Sequence, residues 1–91
     1  MKLQFPNPSR SFDEARNAVR FIGHDGMFEV RFFVQAGALA QSGAKSGRTP
    51  VSEADYLYAF DALRPAIHDV AREAYSQGRR DPYILTAADF R

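Results

Sequence analysis

Residues 18–34 most restrict what this chain can fold into, because two alternating apolar runs there flank the dipeptide Asp25-Gly26. Asp-Gly signals a two-residue type I′ turn, which needs positive φ at both central positions. Centring the turn there sets His24 against Met27, Ile22 against Glu29, Phe21 against Val30, and Val19 against Phe32. One face then reads Val19, Phe21, Gly23, Phe28, Val30, Phe32 and Val34, a core face. The other reads Arg20, Ile22, His24, Glu29, Arg31, Phe33 and Gln35. A one-residue slip would invert both faces, so turn chemistry and apolar pattern agree on this parity.

The flanking segments extend the hairpin into an α+β domain. Lys2–Phe5 reads as a short edge strand ended by Pro6 and Pro8. Asn7–Ser11 is turn-rich, Phe12 returns to the core, and Asp13–Arg16 makes a helical turn or tight loop. Ala36–Gln41 suits a short helix weakened by Gly37. Residues 42–50 are small, polar and glycine-rich, the composition of a flexible surface loop. Ser52 is placed as an N-cap, with Glu53 and Asp55 at the positive end of the helix dipole. Tyr56, Phe60, Leu63, Ile67, Val70 and Ala74 then recur at steps of four and three, one continuous apolar stripe. Pro65 removes the amide that would bond Asp61 and kinks this helix, and Gly78 stops it. Tyr83–Thr86 reads as a last strand. After it, Thr86 either caps a final turn with Asp89 or continues the strand.

The expected fold is thus one α+β domain over residues 1–91. It has a small antiparallel sheet with a central Asp-Gly hairpin, one long kinked helix on one face, and a C-terminal strand. Ninety-one residues with 45% hydrophobic content support a folded globule with a single core. No apolar run reaches the roughly 18 residues of a membrane span, and the N-terminus lacks a signal-peptide core, so the expected location is the cytoplasm.

Composition removes several chemistries. Without cysteine there is no disulfide framework, thiolate metal site or cysteine nucleophile. A net charge of +1 argues against a general nucleic-acid binder. Glycines at 37, 43 and 47 match neither a P-loop nor a dinucleotide fingerprint. No metal or cofactor is expected, because His68 and Asp69 are adjacent on a helix and point about 100° apart. His24 lies beside the turn, and Asp25 is poorly placed to orient it. His68 lies between Arg64 and Arg72 at four-residue steps, which disfavours its charged form. It is a remote candidate base, with no nucleophile evidently set beside it. Arg64, His68 and Arg72, with Asp61, Asp69 and Glu73 beside them, read as a salt-laced solvent face with Asp61–Arg64 and Asp69–Arg72 pairs.

The non-core face of the hairpin carries the main functional candidate. In the register above, Arg20 lies across from Arg31, with Ile22 and Phe33 on the same surface and Glu29 diagonal to Arg20. Another part of the chain, a second copy in a homodimer, or an anion or single-stranded nucleic acid would each suit it. The binding surface is accordingly assigned to Arg20, Ile22, Arg31 and Phe33 in a non-enzymatic, protein-binding or self-associating module. The alternative is weak nucleic-acid or anion binding by Arg20, Arg31 and Phe33, joined by Lys45 and Arg48.

The stretches Phe5-Pro-Asn-Pro-Ser-Arg-Ser-Phe12, Ala18-Val-Arg-Phe21 with Gly23, Ser52-Glu-Ala-Asp55, Phe60-Asp61 and Tyr83-Ile-Leu-Thr-Ala-Ala-Asp-Phe90 resemble a short bacterial family, domain of unknown function 1488. The resemblance spans nearly the whole chain, with residues 42–50 as a variable insertion. It implies a small free-standing α+β protein and brings no catalytic residue with it.

Overall fold

Five strands make one sheet: β1 (Leu3–Gln4), β2 (Arg10–Asp13), β3 (Ala18–Asp25), β4 (Phe28–Gln35) and β5 (Tyr83–Leu85). This computed structural model describes residues 3–6, 9–44, 52–78, 80 and 82–90. Both β1 and β2 pair antiparallel with β3, β1 at its Asp25 end and β2 at its Ala18 end. They therefore lie end to end along one edge. β4 pairs antiparallel with β3 and parallel with β5, which closes the other edge. Arg10 and Ser11, expected in a turn-rich segment, are strand residues, and the turn falls at residues 14–17. Asn17 takes positive φ there, which asparagine tolerates.

The hairpin register differs from the expected one by two residues. Asp25 pairs with Phe28, so the loop is Gly26-Met27, and Val19 lies opposite Val34. Gly26 has φ of 61° and Met27 does not share the positive sign, the pattern of a type II′ turn with glycine first. Glycine can open a turn of this kind as readily as it can close a type I′ turn, so the dipeptide alone left two registers open. The realised one puts Phe21 opposite Phe32, their rings stacked at 5.2 Å, and leaves Asp25 in the strand to accept a 2.6 Å hydrogen bond from the Tyr75 hydroxyl. A two-residue slide preserves which face each side chain occupies, so both expected faces survive while the pairs change. Arg20 faces Phe33, Ile22 faces Arg31, and His24 faces Glu29; the expected Arg20–Arg31 opposition does not occur.

Three helices supply the second layer: α1 (Ala36–Ala44), α2 (Glu53–Ala62) and α3 (Arg64–Ser76). β4 runs directly into α1, whose Ala36 amide donates to the Asn17 carbonyl at 2.9 Å. Residues 42–44 are helical rather than loop, and the remainder of the expected 42–50 loop, with Lys45 and Arg48, lies outside the described residues. Ser52 caps α2 by accepting from the Asp55 amide. The kink expected at Pro65 takes the form of a break at Leu63, which places Pro65 in the first turn of α3, where its missing amide has no partner to lose. Phe60, Ile67 and Ala71 are fully buried and meet Val19, Phe21, Phe32, Val34, Tyr83 and Leu85. Val70 and Ala74 complete the stripe at half-burial. Behind β5, a 3₁₀ turn at Ala87–Phe90 realises the cap: the Thr86 amide donates to Asp89 at 2.7 Å.

Candidate interaction surface

The main hydrophobic cluster draws its strand residues from one side of the sheet, while Ala18 and Phe33 are buried on the other. The cluster's β-strand members, Leu3, Val19, Phe21, Phe32, Val34, Tyr83 and Leu85, share the helix-facing side. On the opposite side the pairings set out four rows, of which Asp13, Ala18 and Gln35, with Ala18 buried, lie nearest the 14–17 turn. Ser11, Arg20, Phe33 and Ile84 form the second. Ile22 and Arg31 form the third, and Gln4, His24 and Glu29 the fourth, nearest the hairpin tip. Arg20, Glu29 and Arg31 are exposed, and Ile22 and His24 half-buried.

Phe33 departs from the expectation of an exposed platform. Its residue is 5% exposed, and the Arg16 guanidinium lies 4.6 Å from its ring centroid. Arg16 is itself held by Asp13, which accepts from the Arg16 amide and from Nη1, each at 3.2 Å. The turn 14–17 therefore folds a cation onto the ring. The three-residue spacing of Asp13 and Arg16 was the available signal for this contact. Beside Phe33, Ile84 is 39% exposed.

The Arg64–His68–Arg72 row is only in part a solvent face: Asp61, Asp69, Arg72 and Glu73 are exposed, and Arg64 and His68 are half-buried. The His68 ring stacks on Phe5 at 3.9 Å with planes 8° apart. The Arg72 guanidinium lies 5.2 Å from the Phe5 ring centroid, and its Nε donates to the Leu3 carbonyl. Asp61 ties the other end, accepting a bidentate pair from Arg10 at 2.8 and 2.9 Å and a 2.7 Å bond from Arg64. The row is thus a clasp over the N-terminal edge strands, with the expected Asp61–Arg64 and Asp69–Arg72 pairs inside it. Arg10 holds the Asp61 carboxyl below its ordinary pKa. Burial, then the nearby Arg64 and Arg72, lowers His68 to about 4, with Asp69 opposing. Gly23 makes room for this clasp: a Cβ there would sit 2.9 Å from Leu3 Cδ1 and 3.0 Å from Phe5 Cε1.

Two other places stand out on the surface. A cleft of about 230 Å³ lies between α3, β5 and the final turn, lined in part by Glu73, Gln77, Arg80 and Asp89. His68 is not among its lining residues, Glu73 accepts from Gln77, and Asp89 serves Thr86. Among the described residues, no group of three or more His, Asp or Glu side chains is arranged to hold a metal ion. No helix among them is long and apolar enough to cross a membrane. The hairpin tip is the other outlier. Met27 is 99% and Phe28 77% exposed, although Phe28 carries the core-side parity. Its pair-mate Asp25 takes the Tyr75 hydroxyl of α3, so parity alone does not bury Phe28.

These features define a class: a small α+β protein whose helices, among the described residues, pack on one face of a mixed sheet. A family profile described as "Protein of unknown function (DUF1488)" matches residues 3–86. The chain belongs to the DUF1488 family. Its fold is similar to the crystal structure of a DUF1488-family protein of unknown function from Shewanella loihica PV-4, with a TM-score of 0.79 and 14% identity over 93% of this chain and 94% of that one. No curated protein matches the sequence.

Proposed function

We propose that this chain is a non-enzymatic protein-interaction module that docks through the open face of its sheet, with self-association among its modes. The observation that supports this most is the one-sided helical layer: β3 and β4 are closed on one face and present Arg20, Ile22, Glu29 and Arg31, with Ile84 alongside, on the other. Arginine and apolar groups interleaved on a flat surface suit protein interfaces, where arginine and aromatic residues are enriched and lysine depleted. The nucleic-acid alternative relied on Phe33 as a stacking surface, and Arg16 already occupies that ring. The catalytic alternative needs His68 as a free base, and its ring is stacked on Phe5.

The test compares tagged wild type with an Ile22→Glu/Ile84→Glu variant, capturing from native lysate with and without nuclease. Partners that survive nuclease and are lost in the variant, at unchanged far-ultraviolet circular dichroism, are the expected result. Identical capture by both proteins overturns the reading, and loss on nuclease treatment alone puts nucleic acid first.

A further inference from the structure

The outer edge of the sheet at β5 is a second surface, distinct from the open face. Hydrogen bonding along β4 alternates sides. The two-residue loop makes Asp25–Phe28 a pair that exchanges both bonds, and every second pair after it does the same. Phe32 and Val34 therefore turn their backbone groups toward β3, and the bond from the Ala36 amide to the Asn17 carbonyl continues the series. Phe33 turns its own toward β5, where the parallel register supplies the Tyr83 carbonyl and the Leu85 amide. Ile84, between them, points its N–H and C=O away from the sheet. Among the described residues no strand pairs with that edge.

The cleft between α3, β5 and the final turn lies along this edge. Its lining includes Tyr83, Ile84 and Leu85, whose side chains alternate faces, so it follows the strand's backbone and not one face. At about 230 Å³ it falls below the roughly 300–1,000 Å³ of small-molecule sites and suits one long side chain. Val70 and Ala74 give it an apolar wall on α3, and Glu73 and Asp89 are exposed at its rim. Glu73 accepts from Gln77 through Oε1 and Asp89 from Thr86 through Oδ2, which leaves each carboxylate a second oxygen. Arg80 precedes the strand and Asp89 follows it, so the anionic end is the one beyond Leu85.

We propose that this edge binds an extended peptide segment of another protein by strand addition, with an arginine or lysine of that segment in the cleft. One residue of the segment pairs antiparallel with Ile84 and exchanges two hydrogen bonds with it. The residue before it lies opposite Leu85 and enters the cleft. Its aliphatic stem packs on Val70 and Ala74 while its cationic head meets Glu73 and Asp89. Pro82 has no amide and Asp89 takes the Thr86 amide, so the pairing edge is short and the contact weak. A second copy of this chain offers the same hollow edge, and two hollows do not fill each other; a single strand does.

The probe is a blocked seven-residue peptide of alternating Thr and Val with Arg in the third position, titrated into isotope-labelled protein and followed by nuclear magnetic resonance. It is expected to bind with a Kd below about 1 mM, shifting the Ile84 amide and slowing its hydrogen exchange at least about fivefold near saturation. Glu in place of Arg should weaken binding at least about fivefold, and N-methylation of the three valines should abolish it by removing the pairing donors. Glu73→Lys should remove the preference for the Arg peptide; the position is exposed, and circular dichroism checks that the fold persists. An Ile84 amide unmoved at millimolar peptide overturns the proposal. Equal binding of the N-methylated peptide does so too, as does an Arg preference that survives Glu73→Lys. Ile22→Glu alone should leave peptide binding unchanged, so the open face and this edge can fail separately.

Discussion

On one face of β3 and β4, Val19, Phe21, Phe32 and Val34 lie at 0–3% exposure beneath helices; on the other, Phe33 lies at 5% with the Arg16 guanidinium over its ring. Adjacent residues of one strand, Phe32 and Phe33, are thus nearly equally hidden from water by different means. The helical side is closed by close-packed apolar side chains from three elements, and the open side by a guanidinium that stays hydrated at its rim. Burial is the same number in both places, but its energetic content is not. Phe32 stacks on Phe21 and Tyr83 at 5.2 and 5.0 Å and packs in the centre of the core, so Phe32→Ala leaves a cavity the helices cannot fill. It is expected to cost about 3–5 kcal/mol in urea denaturation. Phe33→Ala is expected to cost about 1.5–3 kcal/mol, because Arg16 can relax into the space. Equal losses would mean that the open face is a second core and not a surface.

Gly23 probes how tightly the helical side is closed. Its missing Cβ is what lets Leu3 and Phe5 lie across β3 beneath His68 and Arg72. Gly23→Val forces these side chains outward and is expected to cost about 1–3 kcal/mol. Gly23→Ala costs less, since Leu3 Cδ1 is the end of a side chain that can turn away. A Val substitution without effect would show that the N-terminal clasp is not seated as described.

The clasp also gives the helical side a pH response. His68 titrates near 4 in the fold and near 6.5 when unfolded, so the unfolded chain takes up the proton first. Its contribution is therefore complete above pH 6.5 and declines as pH falls toward 4. Asp61, lowered by Arg10, adds a loss in the same direction further into acid. The ring is only half-buried, so after allowing for solvent screening the His68 part is about 1–2 kcal/mol. Chemical denaturation at several pH values should show that decline in wild type and a flat line between pH 6.5 and 4 in His68→Phe. A decline of equal size in the variant would assign it to carboxylates alone.

The same contrast explains what was legible in the sequence. Parity is a local property, and both faces of the hairpin were readable from alternation, as were the Ser52 cap, the helical stripe and the last strand. Register was not, because Gly26 serves either of two turns and parity survives a two-residue slide. What chose between them is non-local: the Phe21–Phe32 stack and the Asp25–Tyr75 bond. The candidate face was found with its residues in the right places but with wrong neighbours, which turned an Arg20–Arg31 repulsion into an Arg20–Phe33 pair. The clasp was missed for a related reason. Helical spacing puts Arg64, His68 and Arg72 in one row but cannot say that Phe5, more than 50 residues earlier, lies under it.

Arg16 is the smallest term and the sharpest discriminator between the faces. A cation over an aromatic ring at a hydrated site contributes about 0.5–1 kcal/mol, and its ion pair with Asp13 is largely exposed, so Arg16→Ala should lower stability by no more than about 1 kcal/mol. Its effect on the surface is larger than its effect on the fold, because removing the guanidinium uncovers the Phe33 ring beside Ile84 and creates contiguous apolar area on the sheet. Arg16→Ala is therefore expected to bind a hydrophobic dye more strongly than wild type while its unfolding midpoint barely moves. Arg16→Lys should show an intermediate signal, since an ammonium keeps the charge but covers less of the ring. A drop in stability as large as that of Phe33→Ala would instead make Arg16 part of the core, and the open face would lose its distinction from the helical one.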